Sequence, residues 1–109
     1  MTEKRFFVRI PSHMECRCYF DDERVKGFIT DFSSDGMRIH IDSDEEYELE
    51  VGDSIGVKYA TNLELDSATS PIIIKCHVII RNMMVSSDDE YAYRYQLGCQ
   101  LENTTERWD

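Results

Sequence analysis

Along most of this chain apolar and polar residues alternate one by one, the period of a β-strand whose successive side chains point to opposite faces. In Glu15–Phe20 (ECRCYF) this places Cys16, Cys18 and Phe20 on one side. A polar Asp21-Asp22-Glu23 turn leads into a second predicted strand, Arg24–Asp31, whose Val25, Ile29 and Phe28 seek cover. Gly27 within it predicts a bulge or a close backbone approach. Further on, Met37, Ile39 and Ile41 alternate with Arg38 and His40, and Ile55, Val57 and Tyr59 share one side of Ser54–Tyr59. Ile72–Arg81 sets Ile72, Ile74, Cys76, Val78 and Ile80 against Ile73, Lys75, His77, Ile79 and Arg81. Tyr95, Leu97, Cys99 and Leu101 form the last inward row.

About six strands, with turn signals roughly every 8 to 12 residues, predict a mainly all-β fold: a small antiparallel barrel or sandwich. Asp42–Glu50 and Ser86–Glu90 read as solvated acidic loops, while Asn62–Pro71 reads either as a loop or as a strand extension through Leu63 and Leu65. Asn103-Thr104-Thr105-Glu106 resembles a helix N-cap close to the last residue, which predicts at most a short C-terminal helical turn. Neither a linker nor an internal repeat interrupts the pattern, so one domain is expected.

Composition narrows the functional classes. At 109 residues folding hides about two-thirds of the unfolded surface, enough for one core. No apolar run approaches the roughly 20 residues of a spanning helix, and MTEKRFF carries no hydrophobic export segment, so no membrane insertion and a cytoplasmic location are expected. Acidic residues outnumber basic ones 22 to 12, a net charge of −10, which opposes long nucleic acid. A small anion is still compatible, because two guanidiniums dominate within a Debye length of about 8 Å.

The four cysteines lack C-x-x-C spacing and all fall on the apolar faces of their strands, so they read as reduced core thiols and not as a metal site. His40 and His77 lie on polar faces with no partner at a telling spacing. No nucleophile–base–orienter set can be assembled, and an enzyme is not expected. Trp108 reads as a clasp over the barrel.

Two short stretches carry the candidate chemistry. Arg5-Phe6-Phe7-Val8-Arg9 places two arginines four positions apart, before Pro11; Asp31-Phe32-Ser33-Ser34-Asp35-Gly36 follows a predicted strand. A two-residue hairpin centred on Asp22-Glu23 would give opposed positions summing to roughly 45, so that Met14 faces Asp31 and Arg9 comes near Gly36. Arginine's planar fork matches phosphate oxygens and the O6/N7 edge of guanine. Asp31 can accept from guanine N1–H and its exocyclic amine, Ser33 adds a hydroxyl, and the Ser-Ser-Asp-Gly turn can present backbone N–H groups as an anion nest. Gly36 permits a sharp turn or a close approach to a ligand. Taken alone, DFSSDG reads as an ordinary strand-joining turn; its convergence with the two arginines favours a site.

With those residues in place the sequence resembles the PilZ domain family, bacterial receptors for the second messenger cyclic di-GMP. The likeness rests on R-x-x-x-R at Arg5 to Arg9 and D-x-S-x-x-G at Asp31 to Gly36. It extends through Val51-Gly52-Asp53, the strand ending in Arg81, and Gln96-Leu97-Gly98-Cys99-Gln100-Leu101. The resemblance implies a six-stranded antiparallel barrel over residues 13–109, preceded by a mobile arm, residues 1–12. It implies that Arg5 and Arg9 clamp phosphates and guanine, that Asp31 and Ser33 hold guanine and phosphate, that Gly36 shapes the turn, and that Lys4 adds charge nearby. It implies no cofactor beyond the ligand, no enzymatic activity, and a protein partner through which motility, biofilm or virulence is controlled, the oligomeric state (monomer or homodimer) staying open. The alternative is a PilZ-like protein-interaction module that binds no nucleotide.

Overall fold

The computed structural model describes residues 14–33, 35–65 and 68–102. Lys4, Arg5, Arg9, the expected arm, the expected C-terminal turn and Trp108 lie outside them. The described chain forms six antiparallel strands: β1 (Met14–Phe20), β2 (Glu23–Ser33), β3 (Gly36–Ser43), β4 (Ser54–Leu65), β5 (Ala68–Ser86) and β6 (Tyr93–Leu101). They close into a barrel in the order β1-β2-β3-β6-β5-β4, with β4 pairing back onto β1. Closure pairs both sides of every strand, the most complete solution to the exposed-edge problem of an all-β domain.

The barrel interior is the apolar half of the alternation. Cys16, Cys18, Val25, Ile29, Ile39, Ile41, Val57, Val78, Ile80, Tyr95 and Leu97 are all buried. Ile39 and Leu97, directly opposed across β3 and β6, are fully enclosed, so truncating either to alanine would cost about 2–5 kcal/mol. Cys16, Cys18 and Cys99 are buried and Cys76 is half-buried against the core, in keeping with their small, apolar character.

Several expectations need correction. The first turn is Asp21-Asp22, both in the left-handed region (φ 49° and 61°), which makes a two-residue hairpin whose twist matches that of the strands. Opposed positions therefore sum to 43, not 45: Phe20 faces Glu23 and Met14 faces Ile29. Gly27 sits in regular pairing opposite Cys16 without a bulge, the bulges falling at Thr30 and Arg81, but the close backbone approach expected of it is present: a Cβ there would lie 3.2 Å from the His40 carbonyl oxygen. Phe28 lies half-buried on the outer face, beneath the Lys26 ammonium 5.5 Å from its ring centre. Within Asn62–Pro71, left open above, residues 62–65 and 68–71 are strand extension, with Asn62 opposite Pro71 and Leu65 opposite Ala68.

The acidic segment after β3 is also more than a solvated loop. Leu49 is buried, and Tyr47 packs edge-on against Phe20 at 5.5 Å and tilted on Tyr95 at 5.8 Å. The Tyr47 amide donates to the Tyr95 hydroxyl at 2.8 Å. This ring cluster plugs the barrel at the Ser43 end of β3, its apolar ring faces covering the core and its hydroxyls directed to polar partners. The segment then docks on β5, Gly52 N–H donating to the Ile80 carbonyl (2.7 Å) and Ile80 N–H to the Asp53 carbonyl (2.9 Å).

Candidate functional site

The far end of the same strands is built by the two bulges. Val25, Gly27 and Ile29 point inward, so strict alternation would drive Asp31 into the core as well. The extra residue at Thr30 inverts the phase: Asp31 becomes exposed, and Phe32 turns toward the interior, its ring 6.2 Å from that of Tyr59. On β5 the bulge at Arg81 does the same, sending Asn82 outward and Met83 toward the core. An uncompensated carboxylate and amide would otherwise be buried, at a cost of several kcal/mol.

Both bulges bracket the β3–β6 pair and align one row across four strands. Asp31 on β2 faces Arg38 on β3, Arg38 faces Gly98 on β6, and Gly98 faces Asn82 on β5. The Asn82 amide lies over Gly98, where a Cβ would strike it, and the row borders a groove of about 220 Å3 with Asp31, Ser33, Arg38 and Arg81 around it. Its floor is Met37 and Cys99. Burial pushes the Cys99 thiol up to about 12, so it presents a neutral surface there.

Charge in the groove is incompletely matched among the described residues. Among the described residues neither the Asp31 carboxylate nor the Arg38 guanidinium has a hydrogen-bond or ion-pair partner, although the two are opposed across the hairpin. Arg81 lines the groove and is tethered there, donating from Nε to Gln100 Oε1 at 2.7 Å. The Ser33 hydroxyl donates to the Gly36 carbonyl at 3.4 Å, a long bond that a better acceptor can replace.

Asp31, Ser33 and Gly36 thus converge as expected, but Gly36 does so for a different reason. It is buried, and a Cβ there would overlap the Cys99 carbonyl oxygen of β6. Its backbone is needed close to the neighbouring strand, so the glycine serves the packing of the sheet. Ser34, part of the expected anion nest, lies outside the described residues; the Asp35 carbonyl next to it accepts from Leu101 N–H at 2.8 Å. Arg38 and Asn82 were not anticipated as site residues. In sequence Arg38 is one polar residue of an alternating strand, and only the register sets it opposite Asp31.

The described histidines do not assemble a catalytic group in this groove. His40 Nε2 lies 3.2 Å from Asp42 Oδ1, and Asp42 also accepts from Arg94 at 3.1 Å, toward the acidic end of the barrel. Among the described residues no cluster of three or more His, Cys, Asp or Glu side chains is placed to hold a metal ion.

Comparison with known structures returns MrkH of K. pneumonia in its apo state, 20% identical with a TM-score of 0.57. The alignment covers 94% of this chain but 44% of that one, so the likeness is one of fold and the chain spans less than half of that protein's length. Comparison with curated proteins gives no sequence match. The family model of the PilZ domain, by contrast, matches residues 3–107, from the arginine segment through all six strands. With that match over nearly its whole length, and with the barrel and groove just described, the chain belongs to the PilZ domain family.

Proposed function

We propose that this domain is a non-enzymatic receptor for cyclic di-GMP that signals to a protein partner. The observation that carries the reading is the groove row in which Asp31, opposite Arg38 and beside Ser33, stands unpaired among the described residues. The strand that leads to it supports the role of the arginines. Met14 pairs with Ile29, two residues from Asp31, and Arg9 lies five residues before Met14. Five residues span at most about 18 Å, so Arg9, and Arg5 behind it, can reach the groove.

In this reading Arg5 and Arg9 direct their forks at a phosphate and at guanine O6/N7, with Lys4 adding a point charge. Asp31 accepts from guanine N1–H and N2–H, and Ser33 exchanges its long bond to Gly36 for a phosphate oxygen. Arg38 and Arg81 supply further charge from the barrel wall. Closing residues 1–12 over the ligand costs chain entropy and creates a ligand-dependent surface for the partner. A second messenger of this class places the domain in the cytoplasm, in control of motility, biofilm formation or virulence.

Calorimetric titration with cyclic di-GMP tests the reading. The expected result is saturable binding, lost in Arg9→Ala and weakened in Asp31→Ala, with both variants still folded by circular dichroism. Removing the charge-assisted bonds of Arg9 should cost about 1.5–3 kcal/mol per bond. No heat with the folded wild-type protein would leave a protein-interaction module that takes no nucleotide.

A further inference from the structure

The opposite wall of the barrel carries a second charged feature, built from strands β2, β1, β4 and β5. Lys26 faces Arg17, Arg17 faces Lys58, and Lys58 faces Lys75, a row of four cations across four neighbouring strands. At about 4.8 Å per strand the row is roughly 14 Å long. Arg24 extends the patch beside Tyr19 in the next row. Five of the chain's 12 lysines and arginines therefore share one wall of a protein of net charge −10.

Directly opposed like charges destabilise a sheet, so such a row is costly unless an anion offsets it. These two rows hold no carboxylate among the described residues; Glu15, in the adjoining row opposite Phe28, is bonded to Arg17 at 2.7 Å and offsets that one cation. Among the described residues Lys58, Lys75 and Arg24 have no ion-pair partner. Alongside the row lies a depression of about 550 Å3 whose lining includes three cations, Arg17, Arg24 and Lys58, against one carboxylate, Glu15, together with Tyr59 and Ile73. Ile73 opposes Ala60 and is 62% exposed, an apolar rim beside the cations.

We infer that this wall is a docking surface for an acidic polypeptide segment, one presenting several carboxylates together with an apolar side chain. Charge complementarity selects an anion, and the rim of Tyr19, Ala60 and Ile73 selects one that also buries hydrocarbon, which a phosphate backbone does not offer. The remaining surface selects further. The protein's net negative charge repels a densely charged polymer at long range, while a peptide with a few carboxylates feels mainly the local row. The groove occupies β2, β3, β6 and β5, so this wall can be filled whether or not nucleotide is bound, and the inference does not rest on nucleotide binding.

The probe is a fluorescein-labelled twelve-residue peptide alternating glutamate with leucine and tyrosine, titrated by anisotropy into the full chain. Saturable binding is expected, weakened about tenfold or more by Lys58→Glu/Lys75→Glu, and weakened likewise by 0.5 M salt. The glutamine version of the peptide should not bind. Because Lys58→Glu converts two opposed repulsions into attractions, that single variant should melt higher than wild type, which separates lost docking from lost folding. The inference is overturned if the peptide fails to bind the folded protein, or if the double variant binds it equally well. Preference for single-stranded DNA or phosphatidylserine vesicles over the peptide would also overturn it. So would a concentration-dependent mass abolished by the double variant, since a second copy offering its own acidic loop would then be the occupant.

Discussion

Replacing Gly36 by alanine isolates what this motif glycine does before any ligand is present. The new Cβ would overlap the Cys99 carbonyl oxygen and lie 3.3 Å from its carbonyl carbon and 3.4 Å from Gln100 Cα. All three are backbone atoms of β6, so no flexible side chain can move aside. The strands must separate where Gly36 faces Gln100, which is also where Leu101 N–H bonds Asp35. Overpacking of this kind costs about 1–3 kcal/mol, and each weakened ladder bond adds about 0.5–1.5. A total of about 2–4 kcal/mol is a large fraction of a small domain's stability. At roughly 4–8 °C per kcal/mol, the melting temperature should fall by about 8–30 °C. Thermal unfolding followed by circular dichroism, without nucleotide, reads this directly. Gly52→Ala is the comparison: no atom lies within 4 Å of its Cβ position, but its φ of 103° strains any side chain, at about 1–3 kcal/mol. A Gly36→Ala protein melting within about 2 °C of wild type would refute the close-approach argument and return the glycine to a ligand role.

Further outcomes follow from the same geometry. Asp21→Asn/Asp22→Gly should raise stability by about 1 kcal/mol in urea unfolding, because both positions are left-handed and this dipeptide favours that turn; an unchanged midpoint would count against strain there. Burial raises the thiols of Cys76 to about 11 and Cys99 to about 12, and the contact with Cys16 together with burial raises that of Cys18, above an unfolded value near 8.5. The folded state thus keeps its protons longer than the unfolded one. This contribution is whole below about pH 8.5 and is lost as pH rises toward the folded values, at about 1.4 kcal/mol per well-buried thiol by pH 9.5. Urea midpoints should therefore drop between pH 8 and 10, and less so in Cys99→Ala measured against its own value at pH 7.5. If Asp31 reads guanine, cyclic di-AMP should bind far more weakly than cyclic di-GMP in calorimetry, and Asp31→Asn should narrow that gap; equal affinities would remove Asp31 from base recognition.

Local pattern was enough for the strands. Inward residues such as Cys16, Cys18, Ile39, Val57, Val78, Leu97 and Cys99 follow from alternation, since burying one face of a strand is decided by its own side chains, and the polar run from Asp21 marks a turn, though not its register. The D-x-S-x-x-G and R-x-x-x-R segments are likewise local, and they carried the family resemblance that the match over residues 3–107 shows. Alternation alone, however, would have turned Asp31 inward, and nothing local announces that Thr30 is the extra residue that turns it out. Bulge position and register depend on how both neighbouring strands pack against one core, a non-local balance. That balance sets Arg38 opposite Asp31, holds Gly36 against Cys99, and opens the groove with Asn82 and Arg81. Composition likewise reports only an acidic chain. Barrel closure gathers residues 17, 26, 58 and 75 into one basic row, because pairing β4 back onto β1 joins positions that sequence separation keeps apart.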